Sequence, residues 1–254
     1  MQREVSIITP MRSVHASFVT QAWESIRQQL MPPGWRLRWY VQEDGPPSQV
    51  QEFVQTLDPK CAEYAASGVA GGAAEARNLA LARSDGEVVM LLDADDQLAP
   101  GAVKRAIDSL DFGHMWCGFA AVDQHDGVVH ARDGRYSARL NSDGMLMGDG
   151  SAFVSKDWIG EIPRGLLRSC WSNFGVLPFH PTTFATYTRW IWEAGGWPGL
   201  SRDEDTALIL AIADAHAGLV SDEVNVHYRR HLDQTSQQVP PLTERIDFIN
   251  RRRR

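Results

Sequence analysis

Val88 to Asp96 reads VVMLLDADD, five apolar residues that end in three carboxylates within four positions. An apolar run this short, entered through the Ser84-Asp85-Gly86 turn and left through a polar loop, predicts a strand buried on both faces of a parallel sheet. Asp93, Asp95 and Asp96 then stand at its carboxyl end, where open α/β sheets bind ligands. Packing gains nothing from three neighbouring like charges, because each raises the pKa of the others unless a cation neutralises them. Asp93-Ala94-Asp95 is therefore a candidate clamp for a divalent ion with a taste for oxygen ligands, Mg²⁺ or Mn²⁺. The plain alternative is a solvated acidic turn. An EF-hand loop starting at Asp93 would need Gly and Glu where Leu98 and Lys104 stand. A phosphatase-type aspartyl nucleophile would want Thr or Val where Gln97 stands, and a strand near the start of the chain.

The rest of the first hundred residues surrounds this strand with others of its kind. Val5–Ile8, Leu37–Gln42 and Ala62–Ala66 read as strands. His15–Leu30, Gln49–Leu57 and Ala73–Arg83 read as helices, the first stopped by Pro32-Pro33-Gly34. Alternation of this kind predicts a Rossmann-like, mostly parallel sheet flanked by helices. The second half is less regular. Helices are expected over Pro100–Leu110, Arg189–Ala194 and Asp203–Ala217. Strands are expected over His114–Val122, Gly127–Arg132, Pro181–Tyr187 and Val220–Tyr228. Residues 141–165 are Gly-rich and without period, which is the composition of a functional or mobile loop.

A chain of 254 residues is long enough for one large α/β domain. Its net charge of −7 argues against nucleic acid as the main partner. Cys61, Cys117 and Cys170 form no CxxC pair, which fits a reducing, cytoplasmic setting without structural zinc. The opening MQREVSIITP reads as a strand rather than a signal peptide, and no apolar run approaches the roughly 20 residues of a transmembrane helix. The polar tail ends in Arg251–Arg254. It reads as a solvated end, with contact to an anionic membrane surface as the alternative. Nine tryptophans supply core, or rings that stack on sugars; packing is the default for each.

Five segments, in order along the chain, carry a resemblance: VSIITP at 5–10, VQEDG at 41–45, GGAAEARNLALARSDGEVVMLLDADD at 71–96, EAGGWPGLSRDED at 193–205 and YRRHLDQTS at 228–236. Together they resemble the family 2 glycosyltransferases. The resemblance implies a GT-A fold over residues 1–232, with a nucleotide-binding half (1–96), a smaller acceptor half (97–232) and a basic tail (233–254). It implies a metal-dependent, inverting transfer of sugar from a nucleotide-diphosphate donor, most simply UDP-linked, to a hydroxyl or amine of a small-molecule or glycan acceptor.

The same resemblance assigns roles. Thr9 and Pro10 would lie against the nucleoside and Asp44 would contact the base. Asp93 would hold the ribose or support the metal that Asp95 binds. Arg77 follows two glycines on a helix, where it could pair with a base carbonyl or a phosphate. Arg229 could neutralise the leaving diphosphate. His231 is the first choice to complete the metal shell, and His227, on the same side of an extended strand, is the other candidate. Asp205 matches the family's general base and Glu204 would orient the base or the acceptor. Thr206 departs from the usual aromatic or acidic residue at its position. Asp203-Glu204-Asp205 could equally cap a helix, and the helix dipole is expected to hold Asp205 low. Two other functions share the architecture: a non-catalytic sugar-nucleotide-binding protein, and a nucleotidyltransferase. The second would want a Gly-rich basic loop where Thr9-Pro10-Met11-Arg12 stands.

Overall fold

The computed structural model describes residues 2–125, 128–129, 139–140, 146–147, 158–231 and 249. In the first half, β1 (Arg3–Met11) leads through a 3₁₀ segment (Ser13–Phe18) into α1 (Val19–Arg27). Then come β2 (Trp35–Glu43), α2 (Gln49–Gln55), β3 (Ala62–Ala66), α3 (Ala73–Arg83) and β4 (Val88–Leu91). The second half holds β5 (Gln97–Leu98), α4 (Ala102–Asp111), β6 (Trp116–His125) and β7 (Val128–Val129). The pair β8 (Arg139–Leu140) and β9 (Leu146–Met147) forms a small ladder of its own. It is followed by β10 (Gly160–Ile162), α5 (Leu166–Phe174), β11 (Ala185–Tyr187), α6 (Thr188–Glu193), α7 (Glu204–Ala215) and β12 (Gly218–Arg229).

The main sheet runs β10-β12-β6-β11-β4-β1-β2-β3, with β5 and β7 attached to β12 and β6. Strands β3, β2, β1 and β4 run parallel to one another. The chain steps outward from β1 to β3 and then crosses back to lay β4 on the other side of β1. That reversal opens a crevice beyond the carboxyl ends of β1 and β4. Strand β11 is antiparallel to both β4 and β6, while β12 runs parallel to β6. The two halves of the chain thus share one sheet.

Side chains alternate along the central strands as a pleated strand requires. Val5, Ile7, Val88 and Met90 join one buried cluster with residues of α1, α2 and α4. Ile8, Val89 and Leu91 join a second with residues of α3, α5, α6 and α7. The run at 88–92 is therefore apolar throughout because β4 is covered on both faces. Among the described residues no helix is long and apolar enough to cross a membrane.

The expected strands and helices of the first half are present: β1 and β2 run past both expected ends, α2 stops at Gln55 rather than Leu57, and β3 and α3 keep the expected bounds. The helix expected from His15 begins instead as a 3₁₀ segment, and α1 starts at Val19. In the second half Pro181–Thr183 is a 3₁₀ turn rather than the start of a strand. Helix α5 was not anticipated, although Leu167, Cys170 and Trp171 carry its buried face. Most of the 141–165 loop, and the tail apart from Ile249, lie outside the described residues. Ile249 is itself buried in the second cluster.

Candidate active site

A cavity of about 410 Å³ opens beyond the carboxyl ends of β1 and β4. Its wall includes Pro10, Asp44, Arg77, Asp93, Asp95, His180, Tyr228 and the run Asp203–Thr206. Segments from both halves of the chain meet there.

The three carboxylates of the DADD turn are accommodated in three ways. Asp93 Oδ1 accepts from Arg77 Nη2 at 2.8 Å. Asp95 Oδ2 lies 2.8 Å from His231 Nε2 and 3.5 Å from His15 Nδ1. Burial works against its charge, and the two imidazoles outweigh that, so Asp95 is held below the usual carboxylate range. Asp96 is 1 % exposed, and its Oδ1 accepts from the Arg229 backbone N–H at 2.9 Å. Burial, then Asp95 and Asp93, push Asp96 well above the usual range.

Arg77 lies at the centre of the remaining charges, with its side chain only 4 % exposed. Besides Asp93, it reaches Glu204 Oε1 at 2.7 Å and Asp205 Oδ1 at 3.1 Å. One guanidinium therefore joins the DADD turn to the start of α7. A planar fork can serve several carboxylates at once, which a lysine cannot. Its two terminal nitrogens face protein carboxylates, which gives it an organising place between them.

Asp205 has a second anchor. Trp197 Nε1 donates to Asp205 Oδ1 at 2.8 Å. The Trp197 backbone is held in turn by Asn78, which donates from Nδ2 to its carbonyl at 2.8 Å and accepts its N–H on Oδ1 at 2.9 Å. Gly196 lets this happen: its φ is +75°, and a Cβ there would stand 2.5 Å from Asn78 Oδ1. Consecutive residues of α3, Arg77 and Asn78, thus fix Asp205 directly and through Trp197.

The helix dipole does not dominate at Asp205. Burial pushes its carboxyl up to about 7; Arg77 opposes this, while Glu204 and Asp93 add to it. The expectation of a low value is overturned because desolvation and two like charges outweigh the dipole and Arg77 together. Nor is the acidic run a helix cap. Asp203 sits at the N-cap of α7 in the left-handed region, φ +56°, and makes no side-chain capping hydrogen bond. Capping by side chain is seen at Ser48, which accepts from Val50 N.

Other expected residues take different places. Thr9 Oγ1 accepts the Trp39 indole N–H at 2.8 Å inside the core, while Pro10 lines the cavity. Asp44 is at the cavity wall, but its Oδ1 accepts from the amides of Gly71 and Gly72, at 2.6 and 3.0 Å, and fixes the entry to α3. Arg229 is 6 % exposed: Nε donates to the Asp95 carbonyl at 2.7 Å, the terminal nitrogen reaches Gln21, and the guanidinium lies over the Phe18 ring. It braces the DADD turn from beneath. Of the two candidate histidines, the structure brings His231 to Asp95; His227 pairs with Gln97 in the β5–β12 ladder.

Two further histidines enter the site: His15, and His180, which lies in the segment where the family resemblance places acceptor contacts without assigning it a role. His15, on the 3₁₀ segment after β1, joins Asp95 and His231 in a group whose ligand atoms all lie within 4.8 Å of one another. Its Nδ1 is buried without a hydrogen bond, which fits a divalent ion at this group. His180 stacks on Tyr228 with ring centroids 4.6 Å apart. Its Nδ1 accepts from Thr182 N, which leaves the ring proton on Nε2. Burial lowers it to about 4, so His180 is a neutral donor. The signal for His15 was its place just beyond β1, on the same edge as the DADD turn; for His180 no motif was available.

The sequence signature described as Glycosyl transferase family 2 matches residues 6–157. No curated protein matches the chain in sequence. Among solved structures, Staphylococcus aureus TarS 1–349 in complex with UDP-GlcNAc is similar with a TM-score of 0.69 and 18% identity, over 97% of this chain and 65% of that one. The same protein in complex with UDP gives 0.66 and 17%, over the same shares. A further TarS 1–349 structure gives 0.65 and 18%, over 89% of this chain and 60% of that one. The chain therefore spans somewhat under two thirds of those structures.

Proposed function

The chain belongs to glycosyl transferase family 2, and from that premise we propose that it moves a sugar from a nucleoside-diphosphate donor to a hydroxyl or amine of a small-molecule or glycan acceptor, with inversion at the anomeric carbon. Its fold is that of the GT-A glycosyltransferases. A UDP-linked donor is supported by the UDP-GlcNAc and UDP complexes among the similar structures.

The observation that carries this reading is Asp205. A buried carboxyl raised to about 7 faces the same cavity as the DADD turn. A general base works best when its pKa lies near the operating pH. Asp205 takes the proton of the acceptor hydroxyl as its oxygen bonds to the anomeric carbon. The bond from that carbon to the donor phosphate breaks, and the diphosphate leaves with the electron pair. No enzyme nucleophile is needed. Trp197 and Arg77 aim the base, and Glu204 keeps Arg77 in place. Asp44 sets the glycine turn against which the nucleoside lies, and Pro10 lines the same cavity. Tyr228 and His180 supply a ring face and a neutral N–H donor for a sugar. A divalent ion held by Asp95 and His231 would offset the charge that develops on the departing diphosphate.

A panel of nucleotide sugars, each with divalent metal, tests the reading by thermal shift and by release of nucleoside diphosphate. A UDP-sugar is expected to raise the melting temperature and to be hydrolysed slowly by the wild type, and much more slowly by Asp205→Asn. Binding without release in either protein would identify a sugar-nucleotide-binding protein instead. No response to any nucleotide sugar would sink both.

A further inference from the structure

We propose that His15, Asp95 and His231 together bind a divalent first-row transition ion and discriminate against Mg²⁺, a refinement that rests on the donor site described above. The three residues come from three distant parts of the chain: the 3₁₀ segment after β1, the DADD turn and the exit of β12. Their approach is therefore a product of the fold and not of local sequence. The distances from Asp95 Oδ2 to His231 Nε2 and His15 Nδ1, 2.8 and 3.5 Å, suit donors sharing one ion. Ligand atoms that each lie about 2.1 Å from a metal stand roughly 3–3.5 Å apart at neighbouring coordination positions.

The surroundings hold the two rings in place. The His15 and His231 rings meet edge to face with centroids 5.5 Å apart, and Phe18 packs 5.4 Å from His231 and 6.4 Å from His15. The Arg229 guanidinium covers Phe18 and donates to the Asp95 carbonyl, so the turn and the aromatic wall are braced by one residue. His15 Nδ1 is buried, with Asp95 Oδ2 at 3.5 Å and outside good hydrogen-bond geometry, a weakly satisfied state that an ion would resolve.

The donor set decides the ion. Mg²⁺ is hard and keeps oxygen ligands and its own waters. Imidazole nitrogen favours the later first-row ions, and affinity at such sites rises from Mn²⁺ toward Zn²⁺ and Cu²⁺. Two imidazoles with one carboxylate therefore turn the DADD turn from an oxygen site into a mixed one. His15 is the residue that shifts the balance, since Asp95 and His231 alone offer one of each. One carboxylate set against a divalent ion leaves a net positive charge facing the cavity, which favours a diphosphate.

Co²⁺ added to the full chain without nucleotide is the probe, read by its visible absorption and by calorimetry. The wild type is expected to bind a single Co²⁺ that a large excess of Mg²⁺ does not displace. His15→Ala is expected to weaken Co²⁺ binding by more than about tenfold, the lower end of what losing even an outer-shell partner costs. Its melting temperature in chelator should match the wild type, and the Co²⁺-induced rise should shrink. X-ray absorption on the Co²⁺-loaded wild type counts imidazoles without relying on a variant: two are expected, and one or none overturns the proposal. Displacement by Mg²⁺, or unchanged Co²⁺ binding in His15→Ala, overturns it as well. Nucleotide-sugar thermal shifts on the same samples separate the two readings. A His15-dependent Co²⁺ site with no response to any nucleotide sugar supports the metal site and removes the donor site. A donor response with Co²⁺ binding indifferent to His15 does the reverse.

Discussion

The indole of Trp197 and the carboxylate of Asp205, eight residues apart, are joined by a hydrogen bond of 2.8 Å from Nε1 to Oδ1. The tryptophan is 3 % exposed and its backbone is clamped from both sides by Asn78. A buried donor this rigid fixes the direction of the carboxyl it touches and favours its ionised form.

Trp197→Phe keeps most of the packing and removes the N–H. The bond favours the ionised form of Asp205, so its loss raises an already elevated pKa. A hydrogen bond to a charged group is worth about 1.5–3 kcal/mol, which corresponds to about one to two pH units. The acidic limb of the pH profile of kcat/KM should move upward by that amount. A variant with reduced activity but an unmoved limb would mean that Trp197 only packs.

Asp205→Asn should lower kcat by about two to four orders of magnitude, the usual contribution of a positioned general base. Its stability effect has a defined sign. The folded carboxyl, at about 7, lies above the ordinary unfolded value of about 3.9. That difference favours folding fully below about pH 4, and the benefit is lost as pH rises toward 7. The asparagine does not titrate. The melting temperature of the variant relative to wild type should therefore be higher at pH 8 than at pH 5. The opposite trend would show that Arg77 stabilises the Asp205 anion more than burial penalises it.

Arg77→Ala removes the cation shared by Asp93, Glu204 and Asp205. Leaving such groups uncompensated typically costs about 3–5 kcal/mol. Arg77→Lys should recover only part of this, because an ammonium lacks the planar fork that reaches the DADD turn and α7 together. Urea unfolding of the two variants measures the difference; full recovery by lysine would reduce Arg77 to a point charge.

Asp44→Ala should act on the donor. Without its carboxylate the amides of Gly71 and Gly72 lose their acceptor, and the turn into α3 loosens. Donor KM should rise while kcat changes little, the signature of lost uniform binding. An equal fall in kcat and kcat/KM would place Asp44 nearer the reacting atoms.

Much of this fold is legible in the residues themselves. The doubly apolar 88–92 run is apolar because β4 has helices on both sides. The Gly-Gly before Ala73 marks the start of α3, whereas α1 ends at Arg27, before the Pro-Pro-Gly at 32–34. Helix α5 adjoins a long aperiodic stretch that masks its signal, although Leu167, Cys170 and Trp171 form its buried face. The site was legible as residue types and only partly as contacts. Arg77, Asp93, Glu204 and Asp205 were identified singly. That they form one charge group depends on α7 docking against α3, which no local pattern encodes. Thr9 and Arg229 sit where the motifs place them in the chain, but pleat direction and burial turn them toward Trp39 and the underside of the DADD turn. His15 could not be seen as a partner of His231 without the sheet between them.

Strand β11 lies between β4 and β6 in the sheet, although it is made long after both. Until Ala185–Tyr187 leave the ribosome, β4 offers one unpaired edge, apolar on both faces. Exposed edges of this kind recruit other strands. The first half of the chain, which carries the nucleotide-side motifs, is thus not a unit that folds ahead of the second. A fragment of residues 1–112 should elute as aggregate rather than monomer in size-exclusion chromatography; a monomeric, cooperatively melting fragment would show that β4 tolerates its open edge. Synthesis of this protein therefore contains an interval in which β4 is complete and one of its two native neighbours does not yet exist.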